Sequence, residues 1–103
     1  MSVDQDPAPS PVPRLTLFVT GTAPRSQRAR GNLARMLARI GRSDLRPQEI
    51  DLLEQPREGI LNSVFATPSL LKTSSTGEVS VLYGDLSDEG RLHYFLADLE
   101  NGW

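Results

Sequence analysis

The first apolar segment of the chain constrains the fold more than any other feature of the sequence. Residues 15–20 read Leu-Thr-Leu-Phe-Val-Thr and end at Gly21, so β-branched, aromatic and aliphatic side chains follow one another almost without interruption. A strand exposed on one face would instead alternate apolar and polar residues. This segment therefore predicts a strand that is buried on both faces, in the centre of a parallel or mixed sheet.

A helical pattern follows the turn at residues 21–24. Five apolar side chains recur at spacings of four, three, one and three residues, which places them on one stripe of a helix. They are Ala29, Leu33, Met36, Leu37 and Ile40. Pro24 and Ser26 are start signals and Gly41 is a stop signal, so one long helix is predicted between them.

Strand and helix patterns alternate through the rest of the chain. Strands are predicted over residues 50–53, about 69–73 and 78–83, with a short irregular or helical piece over 56–62. A final helix begins at Ser87 or Asp85 and carries an apolar face made of Leu92, Phe95, Leu96 and Leu99. The order is βαβ, a short α, then ββα. It predicts an α/β fold of thioredoxin-like order with a mixed four-stranded sheet.

Composition sets the organisation and excludes several chemistries. Four of the eight prolines lie in residues 1–13, which predicts a disordered proline-rich tail followed by one domain over 14–103. The chain contains no cysteine, which excludes disulfides, thiolate metal sites and thiol redox chemistry. No apolar run is long enough to span a membrane and no signal-peptide pattern begins the chain, so we expect a cytoplasmic protein without cofactors.

Charge is distributed unevenly along the chain. Residues 25–46 contain seven arginines and one acid, a net charge of +6, although the whole chain has a formal net charge of −2. Such a segment can steer an acidic partner at low salt. Nucleic acid is a poor candidate for that partner, because the domain is net acidic and no aromatic residues are interleaved with the arginines.

Four short strings carry a resemblance to a known family. They are LFVTGTAPRS at residues 17–26, IDLLEQP at 50–56, ATPSLLK at 66–72 and GDLS at 84–87. They occur in the family's order and at nearly its spacing, over about residues 14–99. The chain therefore resembles the KaiB proteins of the circadian clock.

The resemblance implies a function and a choice of folds. KaiB-like proteins are non-enzymatic regulators that bind KaiC, a hexameric RecA-like ATPase, in circadian or stress-related timing. KaiA or a histidine kinase would be further partners, and the chain could form dimers or tetramers. An alternative is a sensor or adaptor module like the KaiB-like domain of the histidine kinase SasA. The family also has a ground-state fold that differs from the thioredoxin-like monomer in the C-terminal half, which implies fold switching.

The resemblance also implies partner-binding residues. Arg28 and Lys72 match basic positions that the family uses against KaiC, and Arg25 lies in the same positive segment. The family's basic pair in the fourth strand is missing, because residues 79–81 read Val-Ser-Val. This departure implies a partner surface that has diverged.

Three further residues are singled out for structural reasons. Thioredoxin-like folds place a cis proline before the third strand, which makes Pro68 the candidate. Gly84 and Asp85 lie in the turn that rearranges between the family's two folds. Asp85 is also expected to cap the last helix, and the lone His93 is expected at its exposed rim rather than in a metal or catalytic site. No phosphate-binding loop is present, so ATPase activity would belong to the partner.

Overall fold

The computed structural model describes residues 14–74 and 76–100, which contain four strands and four helices. Their bounds are β1 Arg14–Val19, α1 Pro24–Arg39, β2 Gln48–Asp51, α2 Pro56–Leu61, β3 Ser69–Thr73, β4 Val79–Tyr83, α3 Glu89–Phe95 and α4 Ala97–Glu100. The tail predicted over residues 1–13 lies outside the described part of the chain.

The four strands form one mixed sheet in the order β2-β1-β3-β4. β1 pairs in parallel with β2 and antiparallel with β3, and β3 pairs antiparallel with β4. Phe18 lies between Ile50 on one side and Ser69 on the other. β1 is therefore central, as its unbroken apolar sequence predicted, and the mixed four-stranded sheet is confirmed.

Two apolar cores of unequal size cover the sheet. The larger core joins the sheet to α1, α3 and α4, and includes Leu17, Leu33, Leu70, Leu92 and Leu96. The smaller core lies on the opposite face and consists of Phe18, Ile50, Val64 and Leu71, with Leu52 and Val81 packed against it. Because α2 has only six residues, apolar side chains on this second face stay exposed.

The second strand lies two residues earlier than predicted. It spans Gln48–Asp51, and the chain turns at the two leucines that were assigned to it. The Asp51 carboxylate accepts a hydrogen bond from the Leu53 N–H at 2.9 Å. This local bond turns the chain after the Leu52 N–H has donated to the Val19 carbonyl of β1 at 3.0 Å, and the strand ends there.

The helix boundaries contain two corrections. Ser26 does not cap α1, since it is fully buried and its hydroxyl accepts a hydrogen bond from the Thr20 N–H at 3.0 Å. The last helix begins at Glu89, with Asp88 rather than Ser87 or Asp85 as its N-cap, because the Asp88 carboxylate accepts from the Arg91 N–H. It is also divided at Leu96 into α3 and α4.

The stop signal at Gly41 is confirmed, because this residue has a φ of +75° directly after α1. No helix among the described residues combines the length and the apolar character that a bilayer crossing requires.

Candidate partner-binding face

One end of the sheet is held together by hydrogen bonds between three loops. The Gly21 N–H donates to Asp51 Oδ1 at 3.0 Å, which ties the turn after β1 to the end of β2. The hydroxyls of Thr20 and Thr67 share a hydrogen bond that ties the end of β1 to the loop before β3. The geometry of this end of the sheet is therefore fixed by polar contacts as well as by the cores.

The loop before β3 also contacts the turn after β4. The Thr67–Pro68 peptide bond is cis, which confirms the prediction for Pro68. The Pro68 carbonyl accepts a hydrogen bond from the Gly84 N–H at 2.9 Å. Gly84 has a φ of +112°, a backbone conformation that residues with a Cβ rarely adopt.

Asp85 joins this turn to α1. Its carboxylate accepts from the Arg28 Nε at 3.0 Å and from the Ser87 N–H at 3.1 Å, and its carbonyl accepts from the Asn32 side chain at 2.9 Å. Hydrogen bonds from Ser87, followed by the one from the Arg28 guanidinium, lower the pKa of Asp85 to about 2. Asp85 is therefore ionised at neutral pH and holds the turn against the helix.

Arg25 lies on the other side of the same turn. Its guanidinium approaches within 3.9 Å of the point where a Cβ on Gly84 would lie. Arg25 and Arg91 line a cleft of about 150 Å³ whose wall includes Gly84, Asp85 and Asp88. Arg25 forms no ion pair with any residue of 14–74 or 76–100, so its charge is available to an acidic group from outside.

Lys72 lies apart from this group. Its ammonium donates to the Phe95 carbonyl at 2.6 Å and to Asp98 Oδ1 at 2.9 Å, and lies 4.9 Å from the centroid of the Phe95 ring. Only 13% of the side chain is exposed. The fold thus brings together Arg25, Arg28, Pro68, Gly84 and Asp85, whereas Lys72 ties β3 to the junction of α3 and α4.

The KaiB domain family matches residues 16–97 of the chain. This range includes the turn after β1, α1, the loop before β3 and the turn after β4, which together form the candidate partner-binding face. The chain belongs to the KaiB family. No curated protein matches the sequence.

Solved structures agree with the family. The N-terminal domain of Synechococcus elongatus SasA is 28% identical, covers 95% of both chains and has a TM-score of 0.67. A thioredoxin from Fasciola hepatica is 14% identical, with a TM-score of 0.68 over 85% of this chain and 81% of its own. Mitochondrial thioredoxin 3 from Saccharomyces cerevisiae is 16% identical, with a TM-score of 0.66 over 84% and 77%.

These likenesses confirm a thioredoxin-like fold and make the chain a KaiB-like, clock-related module. The thioredoxins share the fold alone, since their identity is low. In this KaiB-family chain the end of the turn after β1 and the first two residues of α1 read Thr-Ala-Pro-Arg, and the sequence contains no cysteine, so thiol–disulfide exchange has no nucleophile.

The positive segment of this KaiB-family chain is largely paired within the fold, which the sequence did not indicate. Beyond Arg28, the Arg39 guanidinium contacts Glu89 at 3.0 Å and Arg42 donates to the Leu99 carbonyl at 2.8 Å. Each of these contacts joins α1 or its C-terminal end to the last third of the chain. The charge asymmetry between the two regions is therefore partly neutralised inside the molecule.

Asp51 has a structural role at this end of the sheet, and the sequence analysis did not single it out. One carboxylate oxygen accepts from both the Gly21 and the Leu53 N–H groups. An acid in the apolar string Ile-Asp-Leu-Leu could have been the signal, because a strand entering a core would not carry a carboxylate without partners.

We expect Arg28→Gln to raise the pKa of Asp85 above its value of about 2, yet to leave it below the ordinary value near 3.9, because the hydrogen bonds from Ser87 remain. A carboxyl whose pKa is lowered by folding stabilises the fold above its unfolded pKa. This contribution is lost as the pH falls toward the folded value. Carbon-detected NMR titration of the carboxyl measures both values. An unchanged pKa would contradict the described Arg28–Asp85 contact.

Proposed function

We propose that this KaiB-family chain is a non-enzymatic regulator that binds a KaiC-type hexameric ATPase in circadian or stress-related timing. The observation that carries the proposal is the family match over residues 16–97 in a chain with the thioredoxin-like arrangement. This is the arrangement that the resemblance associates with KaiC binding. Cytoplasmic placement and contact with a KaiA-type protein, where one exists, belong to the same proposal.

Arg25 and Arg28 are the basic residues best placed for such a partner. Both lie in the first turns of α1 and are exposed. Arg28 uses its Nε toward Asp85, and its planar guanidinium keeps further donors on a side chain that is 54% exposed. A side chain that is already held in place loses less conformational entropy when a partner binds. Arg28 is therefore the stronger of the two candidates.

Lys72 remains a prediction as a contact residue, and its surroundings favour an indirect role. Its ammonium would have to leave Phe95 and Asp98 to reach a partner. We assign Lys72 instead to a positioning role. It holds α3 and α4 against β3, and α3 follows the turn after β4 in the chain.

Rearrangement of the C-terminal half belongs to the proposal as well. The turn at residues 84–87 contains two positive φ values, +112° at Gly84 and +64° at Leu86. A left-handed conformation at a leucine costs about 1–2 kcal/mol. A turn that carries such a cost is a suitable place for two arrangements of the same sequence to diverge.

We expect Arg28→Glu to weaken binding to the KaiC-type ATPase about tenfold at low salt, with a smaller difference at high salt, because the charge lies at an exposed rim. Size-exclusion chromatography with light scattering, after hours of incubation with the ATPase and ATP, measures the complex. Arg57→Glu on α2 is the matched control, since it makes the same charge change on an exposed residue. Equal weakening by both variants would rule out a specific role for Arg28. Absence of any complex with the unmodified chain would overturn the proposed function.

The likeness to the SasA domain supports a second candidate, a sensor or adaptor module in histidine-kinase signalling. It rests on 28% identity over 95% of both chains. An adaptor should change the autophosphorylation rate of a histidine kinase from the same host when the purified chain is added. A regulator of the ATPase should leave that rate unchanged while still binding the hexamer.

A further inference from the structure

A groove of about 360 Å³ lies between α1, the start of β2 and the loop that joins them. We call it the α1–β2 groove. Leu17, Leu33 and Leu37 line it and belong to the larger core, so one wall of the groove is core surface. Leu45 and Pro47 of the loop form another apolar part of the lining. The groove therefore offers an apolar surface that the fold itself does not fill.

The local sequence explains why this space stays open. β2 has four residues and forms one edge of the sheet, so no further strand of the described chain covers the flank of α1 beside it. On that flank α1 carries Ala34, whose side chain is small and exposed. Along α1 the lining runs from Arg30 to Leu37, a distance of about 10 Å.

The charged residues of the groove leave one positive charge without a counterpart. Arg30 on α1 pairs with Glu49 on β2 at 2.8 Å, which neutralises both. Arg46 donates to the Ser43 carbonyl at 2.7 Å. Within the part of the chain that the structure describes, Arg46 forms no ion pair. Two arginines and one glutamate line the groove, so its net charge is +1.

We propose that the α1–β2 groove binds a medium-chain monocarboxylate, with the alkyl chain on the leucines and the carboxylate at Arg46. A volume of about 360 Å³ is within the range of small-molecule sites. It equals about twelve times the ~30 Å³ that one water takes in the liquid, and a methylene group is of similar size. A fatty acid of about eight to ten carbons therefore fits. The planar guanidinium matches the two oxygens of its carboxylate.

The lining disfavours other classes of ligand. It contains no aromatic side chain on which a nucleobase could stack. A single uncompensated arginine suits a monoanion better than the dianion of a phosphate ester, which is commonly held by several cationic groups. An alkylammonium ion of the same length would meet the like charge of Arg46. Size, apolar walls and net charge therefore select the same ligand.

This inference is independent of the proposed function. The groove lies at the β2 edge of the sheet, whereas Arg28 contacts Asp85 after β4, which forms the opposite edge. Binding in the groove needs neither the ATPase nor a rearrangement of the C-terminal half. A negative result with the carboxylate would leave the ATPase proposal as it stands, and the reverse also holds.

Amide NMR titration of the unmodified chain with sodium octanoate, below its micelle concentration, tests the site. We expect saturable shifts concentrated at residues 33–37 and 43–49, with a dissociation constant of about a millimolar or tighter. Octylammonium chloride is the control, since it has the same chain and the opposite charge. Equal shifts with both compounds, or shifts with octanoate that never saturate, would overturn the proposal.

Replacing the arginine tests where the carboxylate binds. Arg46→Gln should raise the dissociation constant of octanoate about tenfold, because it removes a charge-assisted hydrogen bond. Arg35→Gln is the matched control: Arg35 is exposed and lies in the same positive segment but does not line the groove. Equal weakening by the two variants would mean that general charge attracts octanoate and would overturn the assignment to Arg46.

Filling the groove tests where the alkyl chain binds. Ala34→Phe places a large side chain at the lining and should abolish saturable binding of octanoate. Ala38→Phe makes the same change one turn later on α1, at an exposed residue outside the groove, and should bind as the unmodified chain does. Because both positions are exposed, urea denaturation should show that both variants stay folded. Undiminished binding by folded Ala34→Phe contradicts the proposed site.

Discussion

Replacing Leu96 with alanine should lower the free energy of unfolding by about 2–5 kcal/mol, the range for truncating a fully buried leucine. Leu96 has no exposed surface and belongs to the larger core. It also lies at the junction of the last two helices, where its N–H donates to Leu92 and its carbonyl accepts from Leu99. The expected loss of stability therefore has two parts. The removed atoms lose their apolar contacts, and a cavity forms where both helices pack on the sheet.

Urea denaturation at neutral pH measures this change, with Leu53→Ala as the matched control. Leu53 is 69% exposed, so the same truncation there should change the free energy of unfolding by less than about 0.5 kcal/mol. Similar values for the two variants would mean that the C-terminal helices do not pack on the sheet as described. Because this packing defines the thioredoxin-like arrangement, the pair of variants also reports which fold is populated in solution.

Lys72→Met should lower the free energy of unfolding by about 1–3 kcal/mol, because it leaves a carbonyl and a carboxylate without their cationic partner. The methionine keeps most of the apolar stem but cannot donate to Phe95 or Asp98. Asp98→Asn is the control: Asp98 is half-exposed, and this change keeps the contact to the Phe95 carbonyl. It should therefore have the smaller effect.

The same variant separates a positioning role from direct contact with a partner. If Lys72 acts by holding α3 and α4, binding by Lys72→Met should recover at low temperature or in a stabilising osmolyte, where the folded population is restored. A binding loss that persists in a fully folded variant would assign Lys72 to the contact surface. Equal unfolding free energies for Lys72→Met and the unmodified chain would contradict the described contacts.

The internal pairing of the arginines changes how the positive segment is interpreted. From the sequence, seven arginines within residues 25–46 indicated a surface for an acidic partner. In the structure, Arg28, Arg39 and Arg42 contact Asp85, Glu89 and the Leu99 carbonyl. These residues help to hold the C-terminal third in place, so charge at this face serves the fold as well as any partner. Charge reversal in α1 should therefore be accompanied by a stability measurement before a binding loss is assigned to contact.

The third strand shows where sequence reasoning succeeds and the second shows where it fails. β3 spans Ser69–Thr73 as predicted, because a proline before it and a turn after it set both ends locally. β2 lies two residues earlier than predicted, because the Asp51 carboxylate accepts hydrogen bonds from the Leu53 N–H and from the Gly21 N–H, which lies thirty residues earlier in the chain. The acid in the string Ile-Asp-Leu-Leu indicates that the carboxylate needs partners, but only the fold shows where those partners lie.

The sequence by itself determined the order of elements, the central position of β1, the apolar stripe of α1 and the absence of thiol chemistry. These follow from the periodicity of apolar residues, from glycine and proline and from composition, all of which act over short distances along the chain. Tertiary structure decided that Asp88 rather than Asp85 caps α3, that Lys72 contacts Phe95, and that Arg25 keeps a free charge beside Gly84. Each depends on which of several charged groups lie within hydrogen-bond reach after folding. That choice is made by the packing of distant segments, because many pairings are compatible with the same charges along the chain.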